Sequence, residues 1–289
     1  MSVMQPHIDG LSEAENSHAR NQGASLADRG GRGRTDGFAR FYNAVYRGLG
    51  AGRRRDNDHH MGQDMTVGFR IKRTWTRVSA ETAKRFSAIP VANVSDCMAR
   101  MTAGGPGLRP MHASGVLAGP AFTVKSRPGD NLMLHKAIDL AAPGDVIVCD
   151  AGGDLTNSLM GEMMLAHAIK RGIGGFVLNG SIRDRDAFTE RNLPVFAVGV
   201  THRGPYKDGP GEIGFGISIA GMNIEPGDLM LGDADGVLCV PRADVEAVYL
   251  AAERKNAAEV EQMKAIEGGR SDRSWVDASL TRLGCVYVD

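Results

Sequence analysis

Apolar and polar positions in the second half of the chain follow two periods in turn. "DVIVCD" (145–150) and "GGFVLNG" (174–180) are short, nearly unbroken apolar runs, the pattern of strands covered on both faces. Between them, "GEMMLAHAIKRG" (161–172) repeats its apolar residues at three and four positions, which predicts a helix. Lys170 and Arg171 suit the negative pole of that helix, and Gly172 suits a left-handed cap. A short helix near 186–191 and the strand "PVFAVG" (194–199) follow. Strands alternating with helices imply right-handed crossovers and a parallel sheet, an α/β fold. Beyond Gly211 the period becomes two: "IGFGISIAGMNI" and "GDLMLGDADGVLCVP" predict β-ribbons with glycine-rich turns. A long helix over Ala243–Glu267 is expected to bury Val245, Val248, Tyr249, Ala252, Met263 and Ile266.

Toward the N-terminus, order is expected from about Val78. "SAETAKRFSAI" reads as a helix capped by Ser79, and "SDCMARM" as one that Gly104-Gly105 ends. Residues 114–126 have strand character. Asp130 is placed to cap a helix through Ala142, with Met133, Ala137, Ile138 and Ala141 on one face and Pro143-Gly144 as its stop. Pro-Gly-Asp recurs at 128–130, 143–145 and 226–228, read as turns rather than a repeat. Residues 1–64 hold nine Arg, no Lys and no sustained apolar period. They read as a disordered Arg/Gly-rich extension, solvated rather than bound to RNA or a partner through its arginines. The expected organisation is this extension, one domain over 75–269, and a tail over 270–289.

Composition narrows the function classes. Hydrophobic residues at 42% suffice for a sizeable core, and 38 glycines predict many tight turns. The 34 basic and 34 acidic residues cancel, which removes a global electrostatic pull toward nucleic acid or anionic membrane. No apolar run approaches the ~20 residues of a membrane span, so a cytoplasmic protein is the expectation. Cys97, Cys149, Cys239 and Cys285 are widely spaced; Cys149 and Cys239 fall in strand-like runs and read as buried, reduced thiols.

Chemistry is expected where loops leave the carboxyl ends of parallel strands. One such loop carries Asp150, Gly152, Gly153, Asp154 and Asn157. A second carries Asn179, Arg183, Asp184 and Asp186. Unpaired N–H groups near Gly161–Met164 would form an anion site. Arg183 offers a planar fork for a carboxylate. Asp184 offers a hard oxygen to Mg²⁺ or Mn²⁺, which keep several waters and can be held by one carboxylate. Glu162 could hold metal-bound water, or simply favour the helix dipole. The side chains of Met163 and Met164 read as core by default. An Arg-Asp pair after a strand is, on its own, more often a surface ion pair. His135 and His167 read as structural. Lys125 could serve as a Schiff-base lysine, although a solvated strand end is the plainer reading. "RGPYKDGPGE" (203–212) reads as a loop bordering a site, with Lys207 and Glu212 as weak candidates. Neither a P-loop nor a dinucleotide-binding glycine pattern is present.

The stretch "GEMMLAHAIKRGIGGFVLNGSIRD", with "RGPYKDGPGE" and "PGDLMLGDADGVLCVP", resembles the family of class II 4-hydroxy-4-methyl-2-oxoglutarate aldolases and regulators of ribonuclease E activity. The likeness spans most of residues 78–268, and the Gly161…Arg183-Asp184 spacing is its specific part. The resemblance implies a swivelling β/β/α fold, a homotrimer or hexamer, and a divalent metal, Mg²⁺ or Mn²⁺. It implies that Gly161, Glu162, Met163 and Met164 contact substrate, that Arg183 holds its oxygens, and that Asp184 binds the metal. It further implies an acid from a neighbouring subunit's C-terminal helix, with Glu259, Glu253 and Glu261 as rivals. Family aldolases tend to carry an acid three positions after the aspartate; here that position is Ala187, and Asp186 lies one place earlier. The implied reaction is cleavage of a 4-hydroxy-2-oxo acid to pyruvate, with oxaloacetate decarboxylation through the same enolate. The alternative is a non-catalytic regulator binding a ribonuclease or another protein.

Overall fold

The structure is a computed structural model, and residues 67–289 are described. The expected extension over 1–64 lies outside the described residues. Three strands form the centre: β3 (Leu117–Ser126), β4 (Val146–Met160) and β5 (Gly175–Ile182), joined by β6 (Val195–Val200), each parallel to the next. Short strands complete the sheet. β7 (Gly211–Ile213) runs antiparallel to β3 and parallel to β1 (Phe69–Ile71), and β2 (Arg109–Pro110) runs antiparallel to β6. The fold is therefore mixed α/β, with the predicted parallel ladder at its core.

The side-chain alternation along β4 shows why those runs are apolar throughout. Ile147 and Cys149 join Phe176 and Leu178 of β5 beneath helices α3 (Leu132–Leu140), α4 (Glu162–Lys170) and α5 (Arg185–Arg191). Val146, Val148 and Val177 face the other way. They pack against two antiparallel hairpins, β8 (Ile217–Ile219) with β9 (Met222–Ile224) and β10 (Leu229–Asp233) with β11 (Gly236–Val240). Both faces are covered, so neither parity can be polar. Cys149 and Cys239 are buried thiols, as expected, and burial pushes both pKa values up.

A third cluster joins β10 and β11 to α1 (Ala80–Phe86), α2 (Val91–Cys97) and the first half of α6 (Val245–Glu267). Ser79 caps α1 as expected, its hydroxyl accepting from the Thr82 N–H at 3.0 Å. Several expectations fail locally. α2 starts after Pro90 and stops before "MARM", because Ala99 and Arg100 adopt positive φ. Asn131 occupies the N-cap position of α3 but makes no capping bond; the expected Asp130, one residue earlier, accepts from the Leu132 N–H at 2.9 Å. In α6, Val245 and Ala252 are buried but Met263 and Ile266 are about half exposed, since no element among the described residues covers the distal turns. The tail forms a further helix, α7 (Ser274–Arg282), with no buried residue. Among the described residues, no helix is long and apolar enough to cross a membrane.

Candidate active site

Gly161 ends the turn between β4 and α4 in extended backbone, φ −138° and ψ −171°, and supplies no side-chain cap. The cap comes from across the sheet. β5 ends at Ile182, α5 begins at Arg185, and the two residues between must reverse the chain. Asp184 does so in the left-handed region, φ 56°, which aspartate tolerates better than most residues. That conformation brings its carboxylate to α4, where Oδ2 accepts from the Glu162 N–H at 2.9 Å. The Arg183 Nε lies 3.7 Å from the same oxygen, and both side chains are 45% exposed.

Gly161 is the residue this approach requires. A Cβ at 161 would sit 2.5 Å from Asp184 Oδ2 and 3.0 Å from Arg183 Cγ and Nε. The next free donors are the N–H groups of Met163 and Met164. They precede the first intrahelical bond, from the Leu165 N–H to Gly161 O at 3.1 Å, and have no acceptor among the described residues. Gly161, Met163, Met164, Arg183 and Asp184 thus converge on one half-open corner.

Two of the predicted residues behave differently from expectation. Met164 is buried, but Met163 is 68% exposed; its side chain points away from the core that Met164 enters. The Glu162 carboxylate accepts from Arg191 Nη2 at 2.7 Å, which ties α4 to α5.

The rim loop after β4 is not a simple loop. β4 continues to Met160 through register shifts, with Gly152 and Gly153 at positive φ. Asp150 forms a separate cluster: its carboxylate pairs with Lys125, accepts from Asn179 Nδ2 at 2.9 Å and from the Gly152 N–H at 3.0 Å. Burial alone would raise its pKa, but Lys125 and these donors outweigh it and hold the carboxyl below the usual range. Lys125, the Schiff-base candidate, is thus committed to a buried carboxylate.

The expected loop 203–212 reaches the site through Gly204, while Glu212 pairs with Arg70 Nε at 2.6 Å. Gly204 lies beside Arg183, whose Nη1 would be 3.5 Å from a Cβ there. Asp130, expected only as a cap, has a larger role. Fully buried, it accepts from the N–H groups of Leu132, Asp208 and Gly209 at 2.9, 2.7 and 2.9 Å. Asn131 beside it donates to Leu159 O at 2.8 Å, and Ser158 N–H donates to Arg203 O at 2.8 Å. These bonds fasten the loop to the segment leading into Gly161. The Pro-Gly-Asp turn at 128–130 was the available clue.

Among the described residues no group of three or more His, Cys, Asp or Glu side chains is set to hold a metal. Asp184 therefore stands as a lone carboxylate, with Oδ1 free of hydrogen bonds to the described residues. One exposed hard oxygen beside open space fits a cation that keeps most of its waters, as Mg²⁺ and Mn²⁺ do, and does not fit a tetrahedral zinc site. The helix acids each have a partner within their own helix: Glu253 with Tyr249 at 2.7 Å, Glu259 with Lys255 at 2.6 Å, and Glu261 with Lys264 at 2.6 Å.

The RraA-like family model, described as Aldolase/RraA, matches residues 91–239. The chain belongs to this family. A Halalkalibacterium halodurans relative, provisionally named a 4-hydroxy-4-methyl-2-oxoglutarate aldolase, is 41% identical over 182 residues, 63% of this chain and 87% of the relative. A similarly named Burkholderia mallei protein is 37% identical over 133 residues, 46% of this chain and 80% of its own. Among solved structures, an uncharacterized Pseudomonas syringae protein has a TM-score of 0.61 and 27% identity, over 68% of this chain and 96% of that one. Streptomyces coelicolor RraAS2, titled an unusual member of the RNase ES inhibitor RraA protein family, has a TM-score of 0.60. At 23% identity, over 66% of this RraA-like chain and 100% of RraAS2, it speaks for the shared fold alone.

Proposed function

We propose that this RraA-like protein is a class II pyruvate aldolase. It cleaves 4-hydroxy-2-oxo acids of the 4-hydroxy-4-methyl-2-oxoglutarate type and decarboxylates oxaloacetate at the same site, acting in the cytoplasm as a homotrimer or hexamer. The observation that carries this reading is the contact of Asp184 and Arg183 with the leading turn of α4 across a glycine, where any side chain would push both away. The names of its relatives favour an aldolase.

In this reading the substrate's oxo-acid end lies against Arg183, whose fork pairs with the carboxylate, and against the free N–H groups of Met163 and Met164. Cleavage breaks the C3–C4 bond as the C4 hydroxyl gives up its proton and becomes a carbonyl. The bonding electrons pass to the oxo-acid fragment, which takes a proton at C3 to give pyruvate. Arg183 and the two N–H groups supply fixed positive potential where that charge gathers. Asp184 would hold Mg²⁺ or Mn²⁺, which when bound adds a Lewis acid for the same charge. Asp184 is also the anchor that holds its own loop on the helix. Water at this half-open corner accepts and returns the protons.

A coupled pyruvate assay over a panel of 2-oxo acids, with and without Mg²⁺, tests the proposal. Release that needs the cation and disappears in Asp184→Ala is expected. Release that survives both EDTA and this substitution refutes the mechanism. No turnover of any oxo acid, together with retention of a ribonuclease, would favour the regulator reading.

A further inference from the structure

A second cavity lies away from the Arg183–Asp184 corner and shares no residue with it. Between β1 and α1 the chain runs without regular structure from Lys72 to Ser79. Where it passes the end of α3 it encloses a cavity of about 490 Å³, within the ~300–1,000 Å³ typical of small-ligand sites. Its floor and walls are apolar: Trp75, Phe122, Ile71 and Leu140. Its polar lining is all of one sign: Lys72, Arg73, Arg77 and Lys136, with no carboxylate.

The neighbouring acids offset only part of this charge. Arg77 is held by both oxygens of Asp145 at 2.8 Å, and Lys136 lies 4.0 Å from Asp139. Lys72 and Arg73 have no carboxylate partner among the described residues. Two cations therefore remain uncompensated beside an apolar floor. The aromatic wall is fixed in place. Trp75 meets Phe122 edge to face, centroids 5.1 Å apart at 62°. Behind it lies Gly214, where a Cβ would come within 2.6 Å of Trp75 Cζ3. A ring so wedged is already ordered before anything binds, which lowers the entropic cost of binding.

We propose that this cavity binds a small organic anion built from a flat aromatic body and one phosphate or carboxylate head. The ring lies against Trp75 and Phe122, and Lys72 and Arg73 meet the head. A bare phosphate would leave the floor wet, and a neutral ring would leave both cations without a counter-charge. A nucleic-acid strand is a poorer fit, because the charge excess is confined to one cavity and the chain as a whole carries none.

Phenyl phosphate is a suitable probe, with inorganic phosphate and phenol as controls. The chain has two tryptophans, so the full-length protein with Trp275→Phe reports on Trp75 alone. Saturable binding by calorimetry, with a matching change in Trp75 emission, is expected for phenyl phosphate. Its affinity should be at least about tenfold above either control, a difference of ~1.4 kcal/mol. Lys72→Glu with Arg73→Glu, both exposed residues, should weaken it at least about tenfold while leaving the fold intact. Binding should persist without Mg²⁺ and in Asp184→Ala, so the result stands whatever becomes of the aldolase proposal. Absent saturation, undiminished affinity in the charge-reversal variant, equal binding of inorganic phosphate, or loss of binding in Asp184→Ala would each overturn the assignment.

Discussion

Gly161→Ala isolates the contact on which the proposed chemistry rests. The backbone there is extended, so alanine costs nothing in φ or ψ, and the unfolded chain loses a little freedom. Loss of the bond that Asp184 accepts from the Glu162 N–H should nevertheless lower stability by about 1–2 kcal/mol, since the small entropic gain offsets only part of it. The damage is local. The new Cβ would stand 2.5 Å from Asp184 Oδ2, and the carboxylate must retreat by about 0.9 Å to reach ordinary contact near 3.4 Å. A hydrogen bond of 2.9 Å stretched that far is lost, and Arg183, 3.0 Å from the same Cβ, must shift with it. A charge-assisted bond is worth about 1.5–3 kcal/mol, and half exposure of the carboxylate places this one at the lower end. That energy falls on folding; kcat/KM for pyruvate release should fall at least about 10-fold because Asp184 and Arg183 are moved from their places. Displacement of the catalytic groups by about 1 Å can carry the loss toward 100-fold. Steady-state kinetics beside a thermal melt separate the two effects. A variant with normal melting and kcat/KM within about twofold of the parent would show that the close approach of Asp184 to Gly161 is not what the chemistry uses.

Asp130→Ala leaves three backbone N–H groups without their acceptor; two of these bonds are only partly buried, so each costs near the lower end of about 1–3 kcal/mol, on the order of 3 kcal/mol together. Calorimetry should show Tm lower by on the order of 6–12 °C, with faster proteolysis within 203–209; a change under about 2 °C refutes the anchoring role. Asp150 gives a pH prediction. Its folded pKa is depressed, so its stabilising contribution is present above the unfolded value near pH ~4 and is lost as the pH falls through the folded one. In denaturant titrations, Asp150→Asn should be less stable than the parent at neutral pH, and the gap should close in acid; a constant gap would mean that the Lys125 pair contributes nothing.

The central ladder was legible because both faces of β4 and β5 are covered, so that their runs are apolar throughout, and too short and too rich in β-branched residues for a helix. α4 was legible from its period, and the hairpins from their alternation between glycine turns. What escaped has separate physical causes. β1 is three residues long and takes its place from pairing with β7, a contact far off in sequence. β4 was cut at the glycines because Gly152-Gly153 reads as a turn, whereas the chain bulges there and resumes pairing. Met163 was assigned to the core by composition; position on the helix decides, and only Met164 faces inward. The same error placed Met263 and Ile266 in the core, since a stripe on a long helix is buried only as far as there is something to lie against. At the site, Arg183 and Asp184 could be named from the sequence. The left-handed turn that aims Asp184 at a helix twenty-two positions earlier is a tertiary fact.

Only two residues link β5 to α5, and they are the guanidinium and the carboxylate of the site. Such a junction has no slack. An insertion or deletion there would rotate the whole following helix, so new preferences cannot be acquired by remodelling it. Variation in what the corner accepts must instead come from the facing segment at 201–209, where Gly204 leaves room beside Arg183 and a larger residue would take it.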